Sequence, residues 1–383
     1  MNSKQLKTVR WLLPVSAGLY FFIGFEAGAL QFVLLGVTDE FALHGAMIGV
    51  LLAIQYFALM IGQPVFGFIA DRVGKKPIII MAMSMFIVGC ATLAGASVIH
   101  VFIIGVFLAG MGYGITEALV CAALVDVYLE KAERYTNLSQ SLFSLGAVVG
   151  PLAASWISVV VNTRLAFLIA VVGYIALLPF FASTPLPRLQ QASEKPKFSL
   201  RGGAAIPFAI LLFTIFVYGG METSAAGFFN SLFSQALSAT ELGAYAISVY
   251  WLTMMLSRVL FGLLHLPARW VVLICIIGCS LTFVVLSISQ TPMLSLLFCA
   301  LAGVASGPIW AMLVSFAAKE FPAFSGMVVS LMSTCSGLGA TLIPIAVGWT
   351  ANNFSLHIAM LMIAVTVLIS AFIFTGYLKR VRH

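Results

Sequence analysis

Long apolar stretches interrupted by single charged residues dominate the chain. Residues 41–70 contain no Asp, Glu, Lys or Arg, and residues 77–125 contain one, Glu117. A helix needs about 20 apolar residues to cross a bilayer, so the first stretch predicts one membrane span and the second predicts two. The same pattern predicts six spans in residues 11–187 and six more in residues 202–378.

A polar stretch separates two halves that repeat each other. Residues 188–204 are predicted to form a cytoplasmic linker between a first bundle, residues 1–187, and a second, residues 205–383. The repeated segments are Gly24-Phe25-Glu26 with Gly220-Met221-Glu222, Phe66-Gly67 with Phe261-Gly262, and Leu145-Gly146-Ala147 with Leu338-Gly339-Ala340. A nearly constant offset over half the chain indicates a duplicated six-helix unit. We therefore predict an all-α membrane protein with twelve transmembrane helices in two pseudo-symmetric halves.

Composition removes the main competing classes of protein. Hydrophobic residues make up 62% of the chain and charged residues 8%, against about 25% charged in soluble domains. The net charge of +7 comes from scattered basic residues, so nucleic-acid binding is not expected. The sequence has no zinc-binding helix motif, nucleophile elbow or phosphate-binding loop. We expect no enzyme activity, no metal and no cofactor.

The basic residues also predict the topology. If the N-terminus is cytoplasmic, 17 of the 19 Lys and Arg residues fall in or near cytoplasmic segments, and Arg164 and Arg258 are the exceptions. This bias follows the positive-inside rule. We predict a multi-pass protein of the inner or plasma membrane, working as a monomer, with both termini cytoplasmic.

The loop after the second span carries a distinctive motif. It reads Gly67-Phe68-Ile69-Ala70-Asp71-Arg72-Val73-Gly74-Lys75-Lys76. The order of these residues resembles the signature loop of the major facilitator superfamily. The resemblance implies transport by alternating access and a gating role for Gly67, Asp71, Arg72, Gly74, Lys75 and Lys76, whose glycines permit a tight turn. The matching loop of the second half, residues 262–269, lacks the aspartate.

Two branches of this superfamily compete. The stretch Gly110-Met111-Gly112-Tyr113-Gly114-Ile115-Thr116-Glu117 resembles the fucose:proton symporter and sugar porter group, as does Gly307-Pro308-Ile309-Trp310, placed at the end of span 10. That resemblance implies proton coupling and sugar binding at Glu26 and Glu117. Residues 146–151 also resemble the drug:proton antiporters, although Ala153 and Ala154 stand where that branch has glycines. We favour the symporter, with proton-coupled efflux of drugs or amphipathic compounds as the alternative.

Three glutamates lie inside predicted spans: Glu26, Glu117 and Glu222. A charge at this depth is costly, so each acid requires a cavity, a partner or a bound proton. The repeat predicts that Glu222 matches Glu26 across a central cavity. We predict that all three take part in proton coupling, with sodium as the other candidate ion. The alternative is a neutral glutamate hydrogen-bonded between helices, and Arg258 either pairs with an acid or extends to the inner interface.

Polar and aromatic residues in the spans are candidates for contact with a small-molecule substrate. An amide that faces lipid is costly, and an aromatic ring can stack on a sugar. The predicted substrate-binding residues are Gln31, Gln55, Tyr113, Asn230 and Trp310. The function predicted from the sequence is proton-coupled uptake of a sugar or a similar small polar solute.

Overall fold

The computed structural model describes residues 11–128, 132–186, 205–264, 267–320 and 325–380, nearly all of them in α-helices. The helices of the first half are α1 (Leu12–Glu40), α2 (Ala46–Val73), α3 (Lys75–Gly95), α4 (Ile99–Tyr128), α5 (Ala132–Val160) and α6 (Phe167–Ser183). Those of the second half are α7 (Ala205–Ser231), α8 (Gly243–Leu263), α9 (Ala268–Ile288), α10 (Pro292–Ser306), α11 (Ile309–Glu320), α12 (Ser325–Asn353) and α13 (Leu356–Arg380). The predicted linker, residues 188–204, lies outside the described residues.

The described residues contain twelve helical segments long and apolar enough to cross a membrane. The tenth of these, Pro292–Val314, takes in α10 and the first part of α11. Prolines lie inside α5 at Pro151 and inside α12 at Pro344. The prediction of an all-helical membrane protein with twelve spans is confirmed.

The chain forms two compact units. Among the described residues, 11–36 and 54–186 belong to the first unit, whereas 37–53 and all those from 205 onward belong to the second. The end of α1 and the first turns of α2 therefore pack with the C-terminal helices. The sequence-based boundaries, 1–187 and 205–383, differ from these units at residues 37–53.

Matching glycines bring matching helices together in each unit. A Cβ on Gly24 of α1 would overlap the carbonyl oxygen of Phe143 in α5, and one on Gly219 of α7 would overlap that of Ser336 in α12. Gly110 of α4 lies against the Gln55 backbone of α2 in the same way that Gly303 of α10 lies against the Tyr250 backbone of α8. The small side chain allows backbones to approach this closely. Each unit therefore contains the same two tightly packed helix pairs.

These contacts set the repeat register and correct the predicted match between the two acids. Because Gly24 and Gly219 make equivalent contacts, the offset between α1 and α7 is 195 residues, not 196. Glu26 then corresponds to Met221, and Glu222 corresponds to Ala27. One residue turns the side chain by about 100° around a helix. Glu26 and Glu222 are therefore not repeat equivalents.

The tenth span is broken in its interior. Gly307 and Pro308 form a turn between α10 and α11, and α11 continues to Glu320. The motif that the sequence placed at the end of span 10 therefore forms a turn inside that span. Pro308 has no N–H group to donate to the carbonyl of Val304 four residues earlier. Ser257 of α8 donates its hydroxyl to that carbonyl instead, at 2.6 Å.

Candidate functional site

Glu26 is fully buried within the first unit. Its side chain has 0% exposure, and the amide of Gln55 donates to both carboxyl oxygens at 3.1 and 3.0 Å. Gln55 is itself 2% exposed. Among the described residues, no Lys or Arg side chain forms an ion pair with Glu26. Two residues that the sequence assigned to different roles, coupling and substrate binding, thus form one hydrogen-bonded pair between α1 and α2.

Glu222 has a cation as its partner. Arg258 Nη2 of α8 lies 3.1 Å from Glu222 Oε1, and Tyr218, one turn earlier on α7, donates its hydroxyl to the same oxygen at 2.8 Å. The side chains of Arg258 and Glu222 are 28% and 21% exposed. Arg258 also donates through Nε to the carbonyl oxygen of Gly307 at 3.2 Å. Of the two roles left open for Arg258, the structure shows pairing with an acid.

Glu117 is half-buried on α4. The amide of Gln140 on α5 donates to its Oε1 at 3.4 Å. The hydroxyl of Tyr20 on α1 donates to the Glu117 backbone carbonyl at 2.9 Å. The acid therefore lies where α1, α4 and α5 meet.

The remaining predicted substrate residues are buried or half-buried. Gln31 and Tyr113 are 2% and 5% exposed, and the Tyr113 ring lies 6.0 Å from that of Phe143. Asn230 is 5% exposed, and its Oδ1 accepts a hydrogen bond from the Ser234 hydroxyl at 3.4 Å. Trp310 is half-buried at the start of α11, directly after the break. Trp310 and Glu117 occupy equivalent places, because Gly307 and Gly114 lie against α8 and α2 in the same way.

The signature loop forms the junction between α2 and α3. Gly74 has φ of +98°, a conformation that favours glycine, whereas Gly67 lies inside α2 with open space around it. The expected turn therefore depends on Gly74 and not on Gly67.

Charged groups of this loop contact neighbouring residues. Lys75 pairs with Asp126 on α4, and Arg72 lies over the Phe68 ring at 4.2 Å. Lys76 is half-buried, and the side chain of Asp71 lies outside the described part of the molecule. The loop is thus held to α4 by an ion pair within the first unit.

Sequence reasoning missed three features of these sites. It did not pair Glu26 with Gln55, Lys75 with Asp126, or Glu222 with Tyr218 and Arg258. The four-residue spacing of Tyr218 and Glu222 on one helix was an available signal. The other partners lie on different helices, so no spacing along the chain could reveal them.

Comparison with known families identifies the chain. The model of the Major Facilitator Superfamily matches residues 17–262 and again residues 211–383. The chain belongs to this superfamily. It is therefore a multi-pass membrane transporter and not an enzyme, and the resemblance that was inferred from the signature loop is confirmed.

Curated relatives match only part of the chain. Multidrug resistance protein MdtH of Salmonella typhimurium is 32% identical over 141 residues, which cover 36% of this chain and 34% of that protein. The putative niacin/nicotinamide transporter NiaP of Bacillus subtilis is 25% identical over 202 residues, covering 51% of this chain and 50% of that protein. The matched part of this chain thus spans about a third of MdtH and half of NiaP.

Solved structures match over nearly the whole length. The nucleoside transporter NupG superposes with a TM-score of 0.76 at 16% identity, covering 97% of this chain and 99% of its own. A bacterial homologue of the human lysosomal transporter Spinster gives a TM-score of 0.80 at 14% identity, covering 97% of each chain. At these identities the likeness establishes the fold alone.

Proposed function

We propose that this transporter couples the movement of a small polar solute to protons, and that Glu26 carries the coupled proton. The observation that supports this most strongly is the fully buried carboxyl of Glu26 with an amide donor and no paired cation among the described residues. Burial without a countercharge favours the neutral, protonated acid. Hydration of the site in another conformation would release the proton.

Glu222 differs from Glu26 because its partner is a cation. Arg258 stabilises the ionised carboxylate, and the Tyr218 hydroxyl donates to it as well. We propose that Glu222 contributes to coupling by breaking its ion pair with Arg258 when it binds a proton and re-forming the pair when it releases the proton. Glu117, which is half-buried beside Gln140, is proposed as the third coupling acid.

The proposed cargo is a sugar or a similarly polar neutral solute, carried into the cell. Gln31, Gln55 and Tyr113 offer hydrogen-bonding groups in the first unit, and Asn230 and Trp310 offer an amide and an indole in the second. The similarity to NiaP, a putative niacin/nicotinamide transporter, and to NupG, a nucleoside transporter, supports a polar organic solute. Asn230 already holds Ser234 in this conformation and would need to exchange that contact to bind solute.

Export of amphipathic compounds in exchange for protons is the second candidate. The specific observation in its favour is the 32% identity to multidrug resistance protein MdtH over 141 residues. The same three acids would serve either direction, because coupling requires a group that alternately binds and releases a proton. The sign of proton movement on addition of solute therefore separates the two candidates.

The test uses purified protein in liposomes that contain a pH-sensitive dye. Sugars, nicotinamide and nucleosides are added outside in one series, and lipophilic cations are added to acid-loaded vesicles in another. Internal acidification with a polar solute supports uptake by symport. Alkalinisation with lipophilic cations alone supports export. If neither series of solutes causes proton movement, the proposal is contradicted.

Matched variants assign the signal to Glu26. Glu26→Gln keeps the shape of the side chain and removes the titratable proton, so we expect it to abolish the pH signal. The control is Glu241→Gln, an equally conservative change of an exposed glutamate in the short helix Thr240–Leu242. It is expected to leave the signal unchanged.

A further inference from the structure

The second unit contains a cavity of about 230 Å³ that none of the three coupling acids lines. It lies where the start of α2, the end of α7 and the α12–α13 turn meet. Its wall includes Ile48, Phe228, Ser231, Gln235, Asn352 and Leu356. Under the predicted topology these segments are at the outer side of the membrane.

A buried hydroxyl in this wall has no partner among the described residues. Ser231 is 2% exposed, and its Oγ forms no hydrogen bond with any described residue. A buried polar atom left without a partner is costly, and such atoms are rare in native proteins. A bound molecule that donates to or accepts from this hydroxyl would remove that cost.

The shape of the chain beyond Ser231 supports a binding role. Leu232–Ala236 form a π-helical turn directly after α7, and such turns occur frequently at functional sites. This turn carries Gln235, which is exposed, as is Asn352 at the end of α12. The cavity thus has a buried floor, formed by Ile48, Phe228 and Ser231, and exposed amides at its mouth.

The lining defines the chemistry of the occupant. In the described part of the chain it contains a hydroxyl, two carboxamides and apolar side chains, and no charged side chain. An ion would lose its hydration without gaining a countercharge. A neutral molecule with hydrogen-bonding groups can satisfy Ser231 and the two amides while it lays an apolar face on Phe228.

We propose that this cavity is a second solute-binding site, for a small neutral molecule that bears hydroxyl or carboxamide groups. The inference rests on the proposed function, because the transported solute is its occupant. All the residues that form the cavity belong to one compact unit. We therefore expect binding there to persist in Glu26→Gln.

The test measures equilibrium binding of radiolabelled nicotinamide and D-xylose to the full chain in lipid nanodiscs. Nicotinate serves as the charged counterpart of nicotinamide with nearly the same shape. We expect saturable binding of at least one neutral probe and none of nicotinate at this site. In Ser231→Ala and in Gln235→Leu, that binding is expected to weaken about fivefold, the effect of losing one hydrogen bond.

Ser224→Ala is the matched control. It removes another buried hydroxyl of α7 that lacks a partner among the described residues but does not line the cavity. Both serine variants are expected to fold at least as stably as the unaltered protein, because each removes a buried hydroxyl that has no partner among the described residues. Only Ser231→Ala should weaken binding.

Two outcomes overturn the proposal. One is the absence of saturable binding by either neutral probe, and the other is binding that Ser231→Ala and Gln235→Leu leave unchanged. Repeating the titration in Glu26→Gln separates this proposal from proton coupling. Binding that depends on Ser231 and persists in Glu26→Gln supports the site, even if the liposome assay shows no proton movement. Proton-coupled transport together with binding that does not depend on Ser231 refutes the site and leaves the proposed coupling intact.

Discussion

The fully buried Glu26 and the half-buried Glu222 have different kinds of hydrogen-bond partner. Glu26 has an amide donor on a neighbouring helix, and Glu222 has an arginine and a phenol. An amide tolerates both the protonated and the ionised acid, because it can donate to either. A guanidinium strongly favours the ionised form. The difference in partner, not in depth alone, distinguishes the proposed roles of the two acids.

The Glu222–Arg258 pair should show a clear asymmetry between single and double variants. Removing one partner of a fully buried ion pair lowers the free energy of unfolding by about 3–5 kcal/mol. Because these side chains are 21% and 28% exposed, we expect about 2 kcal/mol for Arg258→Gln alone. The double variant Glu222→Gln/Arg258→Gln should recover most of this loss, because neither charge is left unpaired.

Thermal unfolding of the purified variants in one detergent checks this asymmetry. The expected order of stability is the unaltered protein, then the double variant, then Arg258→Gln. A double variant that is less stable than both single variants would show that the pair does not act as a charge pair.

At the scale of the element, the broken tenth span depends on its neighbour. Side chains of α8 bind three carbonyl oxygens along this span: Thr253 binds Ala300 at 2.8 Å, Ser257 binds Val304 at 2.6 Å, and Arg258 binds Gly307 at 3.2 Å. A backbone carbonyl without a partner is costly within the membrane. Since Arg258 also holds Glu222, the state of that acid and the shape of the tenth span are physically connected.

A double-mutant cycle tests the role of Ser257. Ser257→Ala should lower the free energy of unfolding by about 1 kcal/mol, because the Val304 carbonyl loses its hydrogen-bond donor. In a Pro308→Ala background the residue at 308 regains an N–H that can serve Val304, so the same serine change should cost little. Unfolding midpoints of the four proteins give the coupling energy, and strictly additive effects would contradict this account of the break.

The glycine contacts predict a matched pair of packing defects. A Cβ on Gly146 would overlap the Phe21 carbonyl oxygen, and one on Gly339 would overlap that of Phe216. Both contacts are with backbone atoms, which can move little to relieve the overlap. The free energy of unfolding of each alanine variant should therefore fall by about 3 kcal/mol, the upper end for overpacking.

Gly376→Ala in α13 is the control for this pair, because a Cβ there has open space around it. Its thermal midpoint should be no lower than that of the unaltered protein, because alanine also favours the helix more than glycine does. Equal stability of Gly146→Ala, Gly339→Ala and this control would refute the close packing of α1 with α5 and of α7 with α12.

At the scale of the whole molecule, much of the fold follows from the sequence, because the bilayer forces apolar stretches into helices of a definite length. The packing partners do not follow in this way. The one-residue shift in register arose because adjacent glycines, Gly219 and Gly220, both resemble Gly24 in sequence. Only the contact with the α12 backbone identifies Gly219 as the equivalent residue.

The sequence predicts which residues belong to the site, but not which of them contact each other. The cost of burying polar groups identified Glu26, Gln55 and Glu222, since that cost is visible in the sequence. Their partners depend on how helices rotate against each other. The sequence did not single out Ser231, because the hydroxyl of a serine in a membrane helix usually donates to a backbone carbonyl one turn earlier.

The distribution of basic residues predicts that the C-terminus is cytoplasmic. In a bacterial host, green fluorescent protein fused after residue 383 should fluoresce, and alkaline phosphatase fused at the same place should be inactive. The same two reporters fused within the outer loop at residue 43, between α1 and α2, should give the reverse pattern. Active phosphatase at the C-terminus would overturn the predicted topology.

The central claim is that Glu26 carries the coupled proton, and solute counterflow compared with gradient-driven accumulation tests it most directly. Both are measured in liposomes with Glu26→Gln and with the unaltered protein, using a polar solute that moves protons in the latter. Counterflow exchanges solute for solute and needs no net proton movement, so it should persist in Glu26→Gln, whereas accumulation driven by a proton gradient should be lost. Accumulation that persists in Glu26→Gln, or loss of both activities together, would contradict the account.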